Sequence, residues 1–413
     1  MTTTEAPIVF ANARVFDATG NDRFEGHVVV VGKRIRDITT GAVPSPRGAQ
    51  IVDCAGATLM PGLIDAHTHH GAIDANVSEQ HRRYHTSYAS IAIAQRIEDT
   101  LNQGFTTARD AAGIDAGFRQ ASADGLIKGP RLFVSGRPLS QTGGHGDHRQ
   151  AAETTMSEGC QVGQLRTIAD GVDEVRKATR ETLRRGADQI KIMAGGGVLS
   201  PTDHIESTQY SVEELRVICE EAAAGRSYCL AHAYTPAAIR NCVQAGVRSI
   251  EHGNLLDADT AILMANTGTY LVPTLAVYEF MYQLGDKSGL GPASLEKVAH
   301  VYDRGVEAAR LAHASGVRIG SGSDLLGPLS RQLAREITVK ARALGAVDAL
   351  ISATRTNAEL MRIDSETGTI EEGKVADLLV VEGDVVDDPD ILEDRARLRV
   401  IMHAGRMHKQ TLG

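Results

Sequence analysis

Along the middle of the chain, short β-branched apolar runs alternate with stretches whose apolar positions recur at helical spacing. Eight strand candidates stand between residues 61 and 366: GLIDAHTH (62–69), FTTARDA (105–111), RLFVSG (131–136), QIKIMAG (189–195), YCLAHA (228–233), SIEHG (249–253), YLVPTL (270–275) and VRIGSGSD (317–324). Most lead into a helical pattern, such as VDEVRKATRETLRRGA (172–187), SVEELRVICEEAAAGR (211–226) and TPAAIRNCVQAG (235–246). Ser211 and Thr235 stand where N-caps belong, and glycines close several of these helices. Strands alternating with helices predict a parallel sheet, and eight such units predict a (β/α)8 TIM-like barrel of the α/β class over 61–366. A doubly wound open sheet is the alternative. The ends have a different texture: IVFANARVFD, HVVVVGKRIRDI and AQIVDCAGATL in front, KVADLLVVEGD and LRVIMHAGRMHK behind. Residues 1–60 and 367–413 are each short for a core of their own, so they are expected to pair into one composite β-sandwich domain.

Composition narrows the function. The 413 residues carry a net charge of −9, with 42% hydrophobic and 23% charged residues, as in a globular protein. That charge leaves no electrostatic footprint for nucleic acid or an anionic membrane, and the absence of Trp argues against base-stacking platforms. No apolar run approaches the roughly 20 residues of a membrane span, and the N-terminus shows no export signal, so a cytoplasmic location is expected. Five cysteines (54, 160, 219, 229, 242) form no CxxC pair and read as reduced thiols.

The chemistry gathers where a barrel would place it, at the C-terminal ends of strands. His67 and His69 end the first strand, and their i, i+2 spacing puts both on one face. Lys191 lies in the fourth strand, His232 ends the fifth, His252 the sixth and Asp324 the eighth. Histidines with a carboxylate make a donor set for divalent metals, and zinc suits it. Lys191 is the anomaly, because a lysine is almost never fully buried unless paired. Side-chain parity points Ile190 and Ile192 outward and Lys191 into the barrel mouth, where an ammonium beside two cations would be repelled. Burial and positive neighbours lower its pKa and free the amine, and carbon dioxide added to that amine gives an anionic carbamate with two oxygens, one for each metal.

These motifs resemble the amidohydrolase superfamily, and within it the branch of binuclear-zinc dipeptidases labelled Xaa-Pro dipeptidase or imidazolonepropionase-like, which includes ochratoxin-type amidases. The resemblance covers essentially the whole chain: PGLIDAHTHHG, GFTTARD, SQTGGHGD, QIKIMAGGGVLSP, LAHAYTPAAIRNCVQAGVRSIEHGN, SGSD, TNAELMRI and GTIEEGKVADLLVV. It implies that His67, His69 and Asp324 hold one metal, that His232 and His252 hold the other, and that Lys191, as N6-carboxylysine, bridges two divalent ions, zinc by expectation. It further implies that His145 in GGHGD and Tyr234 in AHAYT contact substrate, at a terminal carboxylate or at the carbonyl being attacked, where either could stabilise the developing oxyanion, and that the chain forms homo-oligomers.

The expected reaction is hydrolysis of a small amide, a dipeptide or N-acyl amino acid, by a metal-bridging hydroxide, with Asp324 carrying the proton to the departing amine. Hydrolysis of an aryl amide such as ochratoxin, or of an aryl urea or carbamate, is the alternative at the same site. A mononuclear deaminase typically lacks the strand-borne lysine, and a non-catalytic barrel would be expected to have lost ligands. Ser321 and Ser323 read as turn residues, and His70, of opposite parity to the HxH pair, as a residue supporting the ligands from behind or simply packed. Arg109 and Asp110 suggest an internal ion pair or a substrate contact. His148 and His204 are candidates to line the pocket, and the segments 137–171 and 276–300 are candidate walls.

Overall fold

A computed structural model describes residues 6–412 except 75, 78, 156–159, 161, 201–202 and 289. The chain divides into two compact units, one made of the chain up to Asp65, Asp99–Thr107 and everything from Gln332 onward, the other of Ala66–Glu98 and Ala108–Arg331.

In the first unit both chain ends share one eight-stranded sheet. Its path runs Arg406–Gln410, Leu398–His403, Leu378–Val381, Thr58–Pro61, Ile8–Val15, Phe24–Val31 and Arg34–Thr39, with Gln50–Asp53 also paired to Ile8–Val15. The join is the antiparallel pairing of Leu378–Val381 with Thr58–Pro61, Leu379 opposite Met60. The far edge returns to the C-terminal half through Ile35 N–H to Lys374 O and Ala376 N–H to Lys33 O, both 2.9 Å. The alternating residues Val28 and Val30, Leu378 and Val380, and Val400 and Met402 therefore meet Phe10 and Leu59 in one buried cluster. Each such side chain contributes on the order of 1.5–3 kcal/mol of burial, which offsets the loop-closure entropy of pairing strands so distant in sequence.

The second unit is built from parallel pairs. One sheet runs Thr167–Ile168, Leu139–Ser140, Ile190–Met193, Cys229–Ala233, Ser249–His252 and Tyr270–Val272. A second sheet contains Leu63–Thr68, Phe105–Asp110 and Arg131–Val134, of which Ala66–Thr68, Ala108–Asp110 and Arg131–Val134 belong to this unit. Helices form where the caps predicted them. Ser211 Oγ accepts from Glu214 N while Glu214 reaches back to Ser211 N, a capping box that starts Val212–Ala224. Thr235 caps Pro236–Ala245, which Gly246 ends at φ +90°.

Seven of the eight expected strands are present. The segment 317–324 is not a strand and makes a single β-bridge, Ile319 to Leu271. It is nevertheless hydrogen-bonded on both sides: Gly320 N donates to Leu271 O (2.7 Å), Ala66 N to Ser321 O (2.8 Å) and Asp324 N to His67 O (2.8 Å). On the opposite flank, Asp188 N donates to Val134 O (2.8 Å). No described helix is long and apolar enough to cross a membrane.

Candidate active site

His67, His69, Lys191, His232, His252 and Asp324 line one cavity within the second unit. Strand parity accounts for much of this. His67 and His69, Lys191 and Met193, and His232 and Tyr234 are i, i+2 pairs, and both members of each face the cavity.

Hydrogen bonds fix which ring nitrogen each histidine offers. His67 Nδ1 lies 2.6 Å from Glu251 Oε2, and that carboxylate also accepts from Arg109 Nη2 and Ser249 Oγ, so His67 Nδ1 carries the proton. His69 Nδ1 donates to the Ala112 carbonyl at 2.9 Å. The two Nε2 atoms are left facing each other 3.2 Å apart, with Asp324 Oδ1 at 3.6 and 3.2 Å from them. Two lone pairs and a carboxylate oxygen so placed repel one another unless a cation or proton lies among them, and His67, His69 and Asp324 do form a possible metal-holding group. Burial lowers the His69 pKa, but the hydrogen bond and charge of Asp324 more than reverse this, and the net shift is upward. Burial pushes the Asp324 carboxyl up, but the hydrogen bond from His69 and the positive charge that His67, His69 and Lys191 carry when protonated outweigh it, and the net shift is downward.

The second donor pair is equally prepared. His232 Nε2 donates to Gly196 O at 3.0 Å, which leaves Nδ1 for a ligand. His252 Nδ1 lies 2.7 Å from Thr274 Oγ1, and the two rings are 4.5 Å apart. Burial holds both pKa values well below the usual histidine value, which keeps the rings neutral as metal ligation requires. Lys191 is 1% exposed, its backbone in the strand paired with Cys229–Ala233. Burial lowers its pKa to about 8 against the opposing pull of Glu251 and Asp324.

Backbone strain completes the arrangement. His252 (φ +78°) and Asp324 (φ +54°) occupy the left-handed region, costly for residues other than glycine and asparagine and characteristic of functional sites. The turn at His252 breaks strand alternation, so that Glu251 and His252, although adjacent, both approach His67. At Gly322 a Cβ would fall 2.4 Å from His67 Cβ, so only glycine lets the SGSD segment pass so close.

The amidohydrolase family matches this sequence over residues 58–407. The chain belongs to that family. Ochratoxinase of Aspergillus niger is 34% identical over 367 residues, 85% of this chain and 75% of that protein. Among solved structures, a prolidase complexed with N-methylphosphonate-L-proline is 41% identical, with a TM-score of 0.93 over 98% of this chain and 100% of the other. A Xaa-Pro dipeptidase with bound methionine in the active site is 28% identical, with a TM-score of 0.89 over 98% and 100%. As a family member the protein is a hydrolase acting on amide bonds, and the donor group above suits the divalent metals that amidohydrolases generally use.

His145, Tyr234 and His148 also line the cavity. The His145 ring stacks on His232 at 4.2 Å, and burial lowers the His148 pKa to about 3. Tyr234 Oη lies 2.7 Å from Tyr278 Oη, and Tyr278 is itself hydrogen-bonded by Thr274. A chain of hydrogen-bonded groups thus runs from His252 through Thr274 and Tyr278 to Tyr234. His204 is exposed and lines a different cavity beside Lys297 and His300. Arg109 and Asp110 face neither substrate space nor each other: Arg109 pairs with Glu251 and Asp110 with His70. Ser321 and Ser323 are buried and do not line the cavity. The segment 137–171 contributes His145, His148 and Leu165 to the walls, its residues 156–159 and 161 lying outside the described set, and 276–300 contributes Val277, Tyr278 and Met281. Sequence reasoning missed Glu251, whose only signal was a carboxylate inside the strand candidate SIEHG. All five cysteines are free thiols.

Proposed function

We propose that this protein is a binuclear metal-dependent amidase that hydrolyses an N-acyl amino acid or dipeptide. The observation that carries the reading is the convergence of His67 Nε2, His69 Nε2 and Asp324 Oδ1 within 3.6 Å in the same cavity as His232, His252 and the buried Lys191. On this reading His67, His69 and Asp324 would hold one divalent ion, zinc by donor chemistry, and His232 and His252 a second, with Lys191, as N6-carboxylysine, supplying an anionic ligand to both. The metals, when bound, supply a water of lowered pKa and polarise the amide carbonyl.

The chain's own groups do the rest. Asp324 takes the proton of the attacking water and passes it to the departing amine nitrogen. Tyr234, hydrogen-bonded to Tyr278, is placed to donate its hydroxyl proton to the developing oxyanion. His145, stacked on His232, contacts the substrate beside the second donor pair. Val77, Leu165, Val198, Val277, Met281 and Leu326 provide an apolar lining for a side chain and exclude water.

The same reading takes 61–366 as a closed (β/α)8 barrel and 1–60 with 367–413 as a composite β-sandwich domain. The barrel is supported by the two-sided backbone bonding of 317–324 and by the Asp188 to Val134 bond. The prolidase ligand, a phosphonate on the nitrogen of proline, and the dipeptidase's bound methionine favour a substrate with a free α-carboxylate. Ochratoxinase, together with the apolar lining, favours a second reading in which the acyl group is aromatic. A screen of zinc-loaded protein against N-acetyl amino acids, dipeptides and N-aroyl amino acids tests both. Hydrolysis of at least one class is expected, and a protein that holds metal but cleaves none would overturn the proposal.

A further inference from the structure

A buried polar chain behind His145 has no part in the scheme above. His145 Nδ1 lies 3.0 Å from Ser200 Oγ, and Ser200 Oγ makes a short hydrogen bond to Asp203 Oδ1. The other Asp203 oxygen accepts from Gln209 Nε2 at 2.8 Å and from Gly197 N at 3.2 Å. Gln209 Oε1 in turn accepts from the His145 backbone N–H at 2.8 Å. Ser200 and Gln209 are 1% and 2% exposed. Lys297, from the helix Pro292–Ala314, clamps the loop by donating to the carbonyls of Gly197 (3.1 Å), Ser200 (3.2 Å) and Asp203 (2.7 Å). At Gly197 a Cβ would fall 2.0 Å from His145 Cε1 and Nδ1, so the imidazole occupies space that only glycine leaves.

Proton counting then assigns the ring. The Ser200 hydroxyl has one proton and two acceptors beside it, Asp203 Oδ1 and, at 3.1 Å, Gly197 O. The carboxylate is the strongest acceptor of the three groups around that hydroxyl, and with the proton directed to Asp203 Oδ1 the Ser200 Oγ lone pair is left to accept from His145 Nδ1. We propose that Ser200 and Asp203 are positioning residues that hold His145 as its Nδ1–H tautomer, so that the neutral ring meets the substrate through Nε2 as a hydrogen-bond acceptor. An acceptor there selects a substrate that brings an N–H, ammonium or hydroxyl to that wall, and the oxyanion is left to Tyr234. The substrate half of this inference rests on the amidase reading; the tautomer does not.

The test uses zinc-loaded protein labelled with ¹⁵N-histidine, with the His145 signals identified by their loss in His145→Gln. The expected long-range ¹H–¹⁵N pattern is a protonated Nδ1 and an unprotonated Nε2. Ser200→Ala should mix the tautomers and lower kcat/KM for N-acetyl-L-leucine about 10- to 100-fold, the usual cost of removing a residue that orients a site histidine. Ser200→Thr, which keeps the hydroxyl, should restore both readouts. A protonated Nε2 in the parent protein would overturn the proposal, as would a Ser200→Ala variant unchanged in spectrum and in kcat/KM. If N-acetyl-L-leucine is not hydrolysed, the parent spectrum alone still decides the tautomer, so failure of the amidase reading is seen separately.

Discussion

Glu251 Oε2 lies 2.6 Å from His67 Nδ1, with both side chains buried and the carboxylate held from its other side by Arg109. A fully desolvated carboxylate thus fixes the tautomer of one proposed ligand and neutralises a buried guanidinium. Glu251→Gln leaves that cation uncompensated, which typically costs about 3–5 kcal/mol, and loosens His67, which typically costs about 10–100-fold in metal affinity. A lower thermal midpoint together with weaker zinc binding in a competition titration is expected.

Tyr234 stands at the end of the hydrogen-bonded chain from Thr274 and Tyr278. Tyr234→Phe should lower kcat by about 10²–10³ with little change in zinc content, the usual effect of deleting one oxyanion donor. Tyr278→Phe removes only the hydroxyl behind it and should lower kcat less. Steady-state kinetics on both variants, with metal analysis, checks the order.

Metal reconstitution should depend on pH through Lys191. Its pKa is lowered to about 8 by burial, and carbamate forms only from the neutral amine. At fixed dissolved carbon dioxide, the rate at which metal-free protein regains activity should rise about tenfold per unit up to about pH 8 and then level off. The sign for stability is the same. The folded state holds fewer protons than the unfolded state between about 8 and the ordinary lysine value, so metal-free protein gains stability as pH rises through that window. Stopped-time activity assays and urea melts across pH 6–10.5 read the two effects.

Gly322 is required by the approach of SGSD to His67, where an added Cβ would meet His67 Cβ at 2.4 Å. Gly322→Ala should push apart the segments bearing His67 and Asp324 and lower zinc affinity more than it lowers the melting temperature of the metal-free protein. Equal affinity in parent and variant would count against a shared ion at those two residues.

Strand parity made much of the site legible from the chain alone. His67 with His69, Lys191 with Met193 and His232 with Tyr234 face the same space because alternation places them there. Glu251 was not legible for the same reason. Alternation sends it away from His252, and only the left-handed φ at His252 brings both toward His67, a conformation the residue's identity does not announce. The eighth strand candidate failed similarly, since its close pass by His67 and the φ of Asp324 exchange a regular ladder for isolated hydrogen bonds. The polar chain of Ser200, Asp203 and Gln209 joins residues up to 64 positions from His145, and nothing in local sequence pairs them.

Lys191→Ala should lose both metal binding and turnover, with partial recovery when a short-chain carboxylic acid takes the place of the carbamate. The proposed anion itself is seen most directly by ¹³C NMR of protein reconstituted with zinc and ¹³C-bicarbonate. The account predicts one carbamate carbonyl resonance, absent from Lys191→Ala and lost when the metal is stripped at low pH. A spectrum without that resonance, from protein that is fully active and metal-loaded, would contradict it.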